Sequence, residues 1–377
     1  MKLNYEAKAE VGKILDPTGS SDIKGLSAAD LVHGTLNRIL ILGDNFQAMK
    51  NLLNKHNLSG VVDLVYIDPP FASNNVFKVG KFRTSTMSAA SGDIVAYSDT
   101  LEGAEYLEFL RQRLILLREL MSEKASIYLH IDYKIGHYVK IIMDEVFGIA
   151  NFKNDITRIK CNPKNFQRKG YGNIKDMVLF YTKTDEFTWN EPRQERAEGE
   201  LNRLFNKIDK DGRRYTTNPL HAPGETANGE SGQPWNGLKP PEGRHWRYSS
   251  KVLDELEAAG LIEWSKNGVP RKKIYPEDFT TKRVQDIWEF KDKPNPIYPT
   301  EKNLKMLSRI IQTSSNQGDL VLDTFCGSGG FLYAAEQLQR RWLGMDASKE
   351  AIRISQQRFE TEQESMFMSG EIKKFVI

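Results

Sequence analysis

A short apolar run that stops at an acid and two prolines constrains this chain more than any other feature. Residues 61–67 have the sequence VVDLVYI, and Asp68, Pro69, Pro70 and Phe71 follow directly. A β-branched run of this length predicts a buried strand. Because each proline fixes φ and lacks an N–H, the chain beyond the strand is stiff and its carbonyls point outward. A carboxylate, a carbonyl and an aromatic ring within one turn suit an amino group on a planar ring. A plain strand-to-loop turn with a capping acid is the alternative interpretation.

A second apolar strand runs into a glycine-rich turn later in the sequence. Residues 319–323 form this strand, and a helical pattern follows the glycines at 331–338. Strand, glycine loop and helix form the architecture of a nucleotide-type cofactor site, because glycines let the backbone approach the ligand and leave N–H groups free. The spacing is not that of the dinucleotide fingerprint, and no Walker lysine follows. The candidate residues of this loop are Asp323, Phe325, Gly327, Ser328 and Gly329.

The strand after this helix also ends in an acid. Residues 341–345 lead into Asp346, and a further helix is predicted from Ser348 to Arg358. An acid at this place typically accepts hydrogen bonds from two ribose hydroxyls. An N-cap role for Asp346 is the alternative, but the glycine loop upstream favours ribose binding.

Together these segments resemble the amino-group DNA methyltransferases that use S-adenosylmethionine, and specifically their permuted β group. In that group an Asp-Pro-Pro-Tyr/Phe motif precedes a target-recognition region, and a Phe-x-Gly-x-Gly motif comes last. Asn303 stands where the family usually has proline, and Phe71 stands where tyrosine is commoner. The matching segments occur in the family's order, at residues 37–45, 67–71, 126–132, 286–288, 298–303, 325–330 and 344–346.

The resemblance implies a fold and a set of roles. The fold would be α/β, with a Rossmann-like S-adenosylmethionine-dependent methyltransferase sheet in permuted order and an inserted target-recognition region. Asp68 and the carbonyl of Pro69 would accept hydrogen bonds from the amino group, and the target base would stack on Phe71. The catalytic residues would be Asp68, Pro69, Pro70 and Phe71. The cofactor-binding residues would be Asp44, Asp68, Thr300, Lys302, Asp323, Phe325, Gly327, Ser328, Gly329 and Asp346.

The implied reaction is transfer of a methyl group from S-adenosylmethionine to the N6 amino group of an adenine flipped out of double-stranded DNA. Methylation of cytosine N4 is the closest alternative. The acid Asp68 favours adenine, since serine is usual at this position in the cytosine enzymes. A catalytically silent DNA-binding module is the alternative from another class, but mere binding would not require Asp68, Gly327, Gly329 or Asp346. A homodimer and a separate restriction subunit are further partners that the resemblance leaves open.

Composition limits the remaining possibilities. The chain has 377 residues and a net charge of only +3, so a nucleic-acid footprint must be local. Cys161 and Cys326 lie far apart, and the six histidines show no ligand spacing. We therefore expect a reduced, cytoplasmic protein with no disulfide and no metal site. No apolar run approaches membrane-spanning length, so no membrane association is expected.

Changes in the sequence pattern predict five segments. The segments are an N-terminal arm at 1–36, the catalytic half of the methyltransferase domain at 37–154, a target-recognition region at 155–285, the cofactor-binding half at 286–361 and a C-terminal tail at 362–377. Within the catalytic half, residues 72–100 are polar and rich in serine and glycine, which predicts an irregular lid or binding loop.

A basic run opens the predicted recognition region. Residues 156–175 carry six cations and no Asp or Glu, interleaved with amide side chains. A solvated basic loop is one interpretation of this composition, and the motifs elsewhere favour DNA contact. The predicted DNA-binding residues are Lys160, Lys164, Arg168, Lys169 and, farther along, Arg247.

Overall fold

The chain forms two compact units, of which the second is inserted into the first. The first comprises Met1–Pro192 and Gln285–Ile377, and the second comprises Arg193–Val284. The computed structural model describes residues 2–19, 23, 26, 37–70, 76–80, 83–85, 94–98, 103–163, 169–226, 229–292, 301–361 and 372–377, with only the backbone given for the three short strands between 76 and 98.

Strands and helices alternate through most of the first unit, whereas short strands dominate the second. In chain order the strands are β1 (Arg38–Leu42), β2 (Val62–Ile67), β3 (Val76–Gly80), β4 (Arg83–Ser85), β5 (Ile94–Ser98), β6 (Met121–Ile131), β7 (Phe152–Ile159), β8 (Lys175–Thr182), β9 (Arg193–Glu195), β10 (Lys207–Ile208), β11 (Arg214–Pro219), β12 (His221–Pro223), β13 (Arg244–Trp246), β14 (Ile262–Trp264), β15 (Pro270–Ile274), β16 (Thr281–Arg283), β17 (Ile287–Glu289), β18 (Leu320–Asp323), β19 (Arg341–Asp346) and β20 (Lys373–Val376).

The helices lie between the strands along most of the chain. Among the described residues, no helix is both long and apolar enough to cross a membrane. In chain order the helices are α1 (Val11–Leu15), α2 (Asn45–Asn54), α3 (Gly103–Leu120), α4 (Gly136–Phe147), α5 (Glu198–Leu204), α6 (Ser250–Ala258), α7 (Leu304–Ser314), α8 (Gly330–Gln337) and α9 (Lys349–Thr361).

The core of the first unit is one large sheet with the strand order β17-β7-β8-β6-β2-β18-β19-β1-β20. Neighbouring strands pair in parallel, except that β8 runs antiparallel to β6 and β7. Its central strands are mainly apolar, as expected when helices cover both faces of a sheet. Leu64, Val65, Val321 and Leu322 are all fully buried where β2 pairs with β18. The predicted α/β fold is thereby confirmed.

The connections leave β2 and β18 in opposite directions. The chain passes from β2 through α3 to its neighbour β6, and from β18 through α8 to its neighbour β19 on the other side. A crevice opens where the direction of strand succession reverses, at the carboxyl ends of the strands. The β2/β18 pair is therefore where this fold places a ligand.

A buried ion pair fastens the helix after the glycine loop to the sheet. Glu336 on α8 is fully buried, and its carboxylate accepts hydrogen bonds from Nε of Arg38 at 3.0 Å and from the indole of Trp342 at 2.8 Å. Arg38 begins β1 and Trp342 lies on β19, so one carboxylate joins two strands to one helix.

The second unit has its own small core. A four-stranded antiparallel sheet has the order β10-β11-β15-β14, and β12 with β13 and β9 with β16 form two-stranded ribbons. Leu220, Trp235, Trp246 and Leu253 are buried together, and the indole of Trp235 donates to Asp254 at 2.7 Å. Such a cluster is enough to order a small subdomain.

Parts of both predicted terminal segments pack against the first unit. Within the arm, Tyr5 donates to Glu108 at 2.6 Å and Ile14 is buried against the core of the first unit. Within the tail, Lys373–Val376 adds strand β20 to the edge of the large sheet beside β1. The described residues of the predicted arm thus pack against the first unit, and those of the predicted tail extend its large sheet.

Two internal predictions also need correction. The boundary predicted at 155 falls inside β7, and both β7 and β8 belong to the large sheet, so the compact insert begins at Arg193 instead. The segment 72–100, predicted to be irregular, contains the antiparallel sheet β4-β3-β5. Its strands are too short, at three to five residues, for their alternation of side chains to stand out among the serines and glycines of this segment.

Replacing Glu336 with alanine should lower the free energy of unfolding by about 3–5 kcal/mol, because two buried donors lose the carboxylate that they share. Glu350→Ala is the matched control. Glu350 also lies on a helix and pairs with an arginine, Arg353, at 2.6 Å, but this pair is at the surface. Its loss should lower the free energy of unfolding by only about 0–1 kcal/mol. Urea unfolding followed by circular dichroism compares the two, and equal losses would contradict the structural role of Glu336.

Candidate active site

Four acids follow the ends of four adjacent parallel strands. Asp44 comes shortly after β1, Asp68 directly follows β2, and Asp323 and Asp346 end β18 and β19. Because these strands are parallel neighbours in the order β2-β18-β19-β1, all four acids lie at one edge of the sheet. Open α/β sheets bind their ligands at the carboxyl edge, so this edge is the candidate active site.

The two carboxylate oxygens of Asp68 have different surroundings. Oδ2 lies 2.5 Å from Nζ of Lys302, whereas Oδ1 is buried and accepts no hydrogen bond from any residue that the structure describes. A buried acceptor without a donor costs free energy, and a catalytic role or a bound group commonly explains it. Asp68 therefore presents an acceptor to an incoming N–H group. Pro69 is buried, Pro70 is half-buried, and Phe71 lies outside the described residues.

A second buried ion pair holds Lys302 in place. The carboxylate of Glu301 accepts a hydrogen bond of 2.9 Å from Nη2 of Arg358, and the same nitrogen donates to Oγ of Ser328 at 3.3 Å. One guanidinium thus ties the lysine-bearing segment to the glycine loop. The sequence placed Lys302 near the cofactor but did not predict its contact with Asp68.

Asn303, which departs from the family pattern, caps the helix that follows. Its Oδ1 accepts from the backbone N–H of Lys305 at 3.0 Å, and its Nδ2 donates to the carbonyl of Lys291 at 2.9 Å. A proline would supply neither bond, so the asparagine fixes this segment by capping α7. Thr300, another predicted cofactor residue, lies outside the described residues.

The glycine loop is held in place by Asp346. Gly327 and Gly329 have φ values of 51° and 72°, in the left-handed region that glycine adopts most readily. The N–H of Gly327 donates to Oδ2 of Asp346 at 2.9 Å, and the N–H of Ser348 donates to Oδ1 at 2.8 Å. Asp346 therefore has the cap-like contact considered above. Each of its oxygens also retains a lone pair for a ribose hydroxyl.

Asp323 is buried directly beneath this loop. Burial raises the pKa of its carboxyl well above the usual range, and the carboxylates of Asp68 and Asp346 raise it further. A hydrogen bond of 3.0 Å from the N–H of Phe325 and the charge of Lys302 oppose this rise without cancelling it. Three acids so close together favour a ligand that carries positive charge.

Asp44 caps a helix at the same edge. Its Oδ1 accepts from the N–H of Gln47 at 3.0 Å, and its Oδ2 lies 3.0 Å from Nη2 of Arg113. Arg113 also donates to Oδ1 of Asn45 at 2.6 Å, and Asn45 donates to the carbonyl of Thr324 at 2.7 Å. Burial lowers the pKa of Arg113 to about 10. This link between α3 and the glycine loop was not predicted from the sequence, and the available signal was an arginine between the apolar residues of α3.

A buried polar chain runs sideways through the sheet behind Asp68. The hydroxyl of Tyr66 lies 3.1 Å from Nδ1 of His130, and Nε2 of His130 lies 3.2 Å from Oδ2 of Asp176. Burial lowers the pKa of His130, which favours the neutral imidazole. In the neutral form Nε2 carries the proton, because the carboxylate can only accept, and Nδ1 accepts from Tyr66. This chain was not predicted from the sequence, although a histidine between apolar residues of β6 was a signal.

Of the predicted DNA-binding residues, the structure describes Lys160, Lys169 and Arg247. Lys160 pairs with Asp176 at 2.6 Å and thereby joins the polar chain in the sheet. Lys169 is exposed, whereas Lys164 and Arg168 lie outside the described residues. Arg247 is exposed on the second unit.

The described residues also bear on the requirements of a metal site and of a reactive thiol. In the part of the chain that the structure describes, no group of three or more His, Cys, Asp or Glu side chains could hold a metal ion. Cys161 and Cys326 are free thiols, and burial raises the pKa of Cys326 well above its usual range. Cys326 is thus a poor nucleophile.

A family model and several characterised relatives match this chain. The model of the N6/N4 DNA methylase family matches residues 62–357. The type II methyltransferase M.EcaI of Enterobacter cloacae is 38% identical over 364 residues, which cover 95% of this chain and 77% of that protein. The type II methyltransferase M2.DpnII of Streptococcus pneumoniae is 38% identical over 332 residues, which cover 87% of this chain and 91% of that protein.

A more distant relative belongs to a type III system. The Mod subunit of the restriction-modification enzyme StyLTI of Salmonella typhimurium is 24% identical over 362 residues, which cover 82% of this chain. The chain spans about half of that subunit, 52% of its length.

Replacing Asp323 with asparagine should stabilise the ligand-free protein increasingly as the pH rises. The folded-state pKa of Asp323 is raised, so its contribution to stability is fully present below the unfolded pKa of about 4 and is lost as the pH rises through the folded value. Asparagine has a similar shape and cannot ionise, so the variant avoids this loss. Each tenfold difference in proton affinity between the folded and unfolded states corresponds to about 1.4 kcal/mol.

Urea unfolding at a series of pH values measures this difference, and Glu350→Gln provides the control for its sign. The hydrogen bond from Arg353 lowers the pKa of Glu350, so that variant should become less stable than wild type as the pH rises. A stability difference between Asp323→Asn and wild type that stays constant with pH would contradict the raised pKa.

Proposed function

This chain belongs to the N6/N4 DNA methylase family, and on that premise we propose that it methylates the N6 amino group of adenine in double-stranded DNA. The chain is a DNA methyltransferase of the restriction-modification type, and its cofactor is S-adenosylmethionine. With Asp68 ahead of Gly327, the order of its motifs is that of the permuted β group, to which we assign it.

The observation that carries the proposal is the buried oxygen of Asp68 that lacks a donor. The lone pair of an adenine amino nitrogen is delocalised into the ring, so the nitrogen is a poor nucleophile. Asp68 Oδ1 and the carbonyl of Pro69 are two acceptors for its two N–H bonds, and together they favour a pyramidal nitrogen with an available lone pair. Lys302 binds the other oxygen and fixes the direction of the carboxylate. The site therefore acts by positioning and by electrostatics.

The residues around the glycine loop fit the cofactor that this reaction needs. When bound, S-adenosylmethionine supplies a methyl group on a positively charged sulfur. The buried acid Asp323 and the half-buried Asp68 favour such a cation, and Asp346 offers acceptors to ribose hydroxyls. The hydroxyl of Thr324 is buried, with no partner among the described residues, and supplies a further polar contact.

The DNA partner follows from the family, and its handling is part of the proposal. A base inside the duplex is inaccessible, so the adenine must leave the stack, and Phe71 supplies the ring that receives it. We assign target recognition to the compact unit Arg193–Val284. The relationship to type II methyltransferases and to a type III Mod subunit supports a restriction partner on a separate chain. A homodimer is a further proposal of this kind.

Asp68→Ala and Asp68→Asn should each reduce methyl transfer to DNA by on the order of 10²-fold or more, because the amino group loses its charged acceptor. Transfer of labelled methyl groups measures this, and calorimetry should show nearly unchanged cofactor affinity. Asp132→Asn is the matched control. Asp132 also follows a parallel strand of this edge, but its carboxylate accepts from the N–H of Lys134 within a turn, at 2.9 Å.

Nucleoside analysis of the labelled DNA identifies the modified base in the same assay. Label in N6-methyladenine is the expected result. Label in N4-methylcytosine would overturn the adenine assignment, and wild-type turnover by either Asp68 variant would overturn the role of that carboxylate.

Asp346→Ala should weaken cofactor binding by about 1.5–3 kcal/mol, the value of hydrogen bonds to a charged acceptor. Gly327→Val should weaken it as well, since a β-branched residue is strained at φ 51° and fills the space beside the ligand. Gly318→Val is the control, because Gly318 has φ 82° in a turn with no neighbouring atom within 4 Å of an added Cβ. Calorimetry that finds wild-type affinity in both site variants would refute the assignment.

A further inference from the structure

Three arginines and a histidine gather where β11 gives way to β12 in the second unit. Nη1 of Arg244 lies 3.1 Å from Nδ1 of His221, the first residue of β12. Nε of Arg247 donates to the carbonyl of Pro219 at 3.1 Å, at the end of β11. Arg271 pairs with Pro219 in the register between β15 and β11. We call His221, Arg244, Arg247 and Arg271 the arginine cluster.

The positive charge of this cluster is not compensated locally. Burial lowers the pKa of His221, and Arg244, Arg247 and Arg271 lower it further, with no acid among the groups that act on it. None of the three arginines forms an ion pair with any residue that the structure describes. Like charges held together without a counter-ion repel each other. Such an arrangement is favourable when an anion completes it.

Other cations of the same unit differ in this respect. Arg213 pairs with Asp211 at 2.6 Å. Lys282 pairs with Glu200 at 2.7 Å, and Arg196 pairs with the same carboxylate. The lack of a carboxylate partner among the described residues is therefore particular to these three arginines, and the unit does not lack acids in general.

The guanidinium groups are also held in defined positions. Nε of Arg271 donates to Oγ1 of Thr217 and its Nη2 donates to the carbonyl of Thr217, both at 2.8 Å. Arg244 and Arg247 are exposed, and Arg271 is half-buried. Each guanidinium has five N–H bonds, of which these contacts use one or two. The remaining N–H bonds match the geometry of phosphate oxygens.

We propose that the arginine cluster binds phosphates of the DNA backbone and so anchors the second unit on its substrate. The inference rests on the proposed function, because it takes DNA as the partner. It replaces part of the sequence-based prediction. Lys160 of the basic run pairs with Asp176, whereas Arg247 acts on His221 together with Arg244 and Arg271, which were not among the residues predicted from the sequence.

The test compares two triple variants that remove the same charge from the same unit. R244Q/R247Q/R271Q removes the arginine cluster, and R196Q/R213Q/K282Q removes three cations that already have carboxylate partners. Fluorescence anisotropy with a random-sequence DNA duplex over a range of salt concentrations gives the affinity and its salt dependence. The cluster variant should lose about 0.9 of log–log slope per lost phosphate contact, hence roughly 2.7 in total. The control variant should keep nearly the wild-type slope.

Three further measurements separate loss of contact from loss of fold. R244K/R247K/R271K keeps the charges and should keep most of the slope. R244Q and R247Q alone change exposed side chains, and each should lower the slope by about 0.9. Near-ultraviolet circular dichroism of the buried pair Trp235 and Trp246 reports whether the second unit remains folded.

Two results would overturn the proposal while leaving the proposed function intact. One is wild-type affinity and slope in the cluster variant, and the other is an equal loss in the cluster and control variants. Failure of the wild-type protein to bind any duplex would instead refute the proposed function itself, and the cluster proposal with it. Cofactor affinity, measured by calorimetry, should be the same in all these variants.

Discussion

The pairing of β2 with β18 is the interaction on which the rest of the structure depends. Val65 lies opposite Leu322 and Leu64 opposite Val321, all fully buried, so two distant parts of the chain meet along apolar strands. Because the connections then run in opposite directions, the strand ends open into a crevice that neither segment could form alone. The acid after β2 and the glycine loop after β18 are neighbours for this reason.

The electrostatics of the crevice follow from the same packing. Parallel strands end together, so the acids that follow them are crowded, and burial adds to the cost of ionising them. Lys302 compensates Asp68. Burial raises the pKa of Asp346 although two backbone N–H groups donate to it, and the pKa of Asp323 is raised well above its usual range. The free protein thus holds an unfavourable arrangement of charge that a positively charged ligand relieves. Stability in the free state and affinity in the bound state oppose each other at Asp323.

The sequence predicted the elements whose signal is local. A few consecutive residues were enough to predict the acid and prolines after β2, the glycines after β18 and the acid that ends β19. In the structure these three segments lie at one edge of the large sheet. The chain from Tyr66 through His130 to Asp176 could not be predicted, because its members are brought together by strand order and register. The mixture of cations and amides in residues 156–175 likewise could not predict that Lys160 pairs with Asp176. The role of Asn303 could not be predicted either, because it depends on the helix that this residue caps.

The two ends of the inserted unit lie side by side. Strand β9 at its start and strand β16 at its end pair antiparallel, with Arg193 opposite Arg283 and Glu195 opposite Thr281. The chain therefore enters and leaves through a single ribbon whose strands are roughly 5 Å apart. A module attached in this way can be exchanged as a cassette, since a replacement needs only two adjacent ends and leaves the path of the host sheet unchanged. The fold is thus suited to the independent evolution of its catalytic framework and its insert.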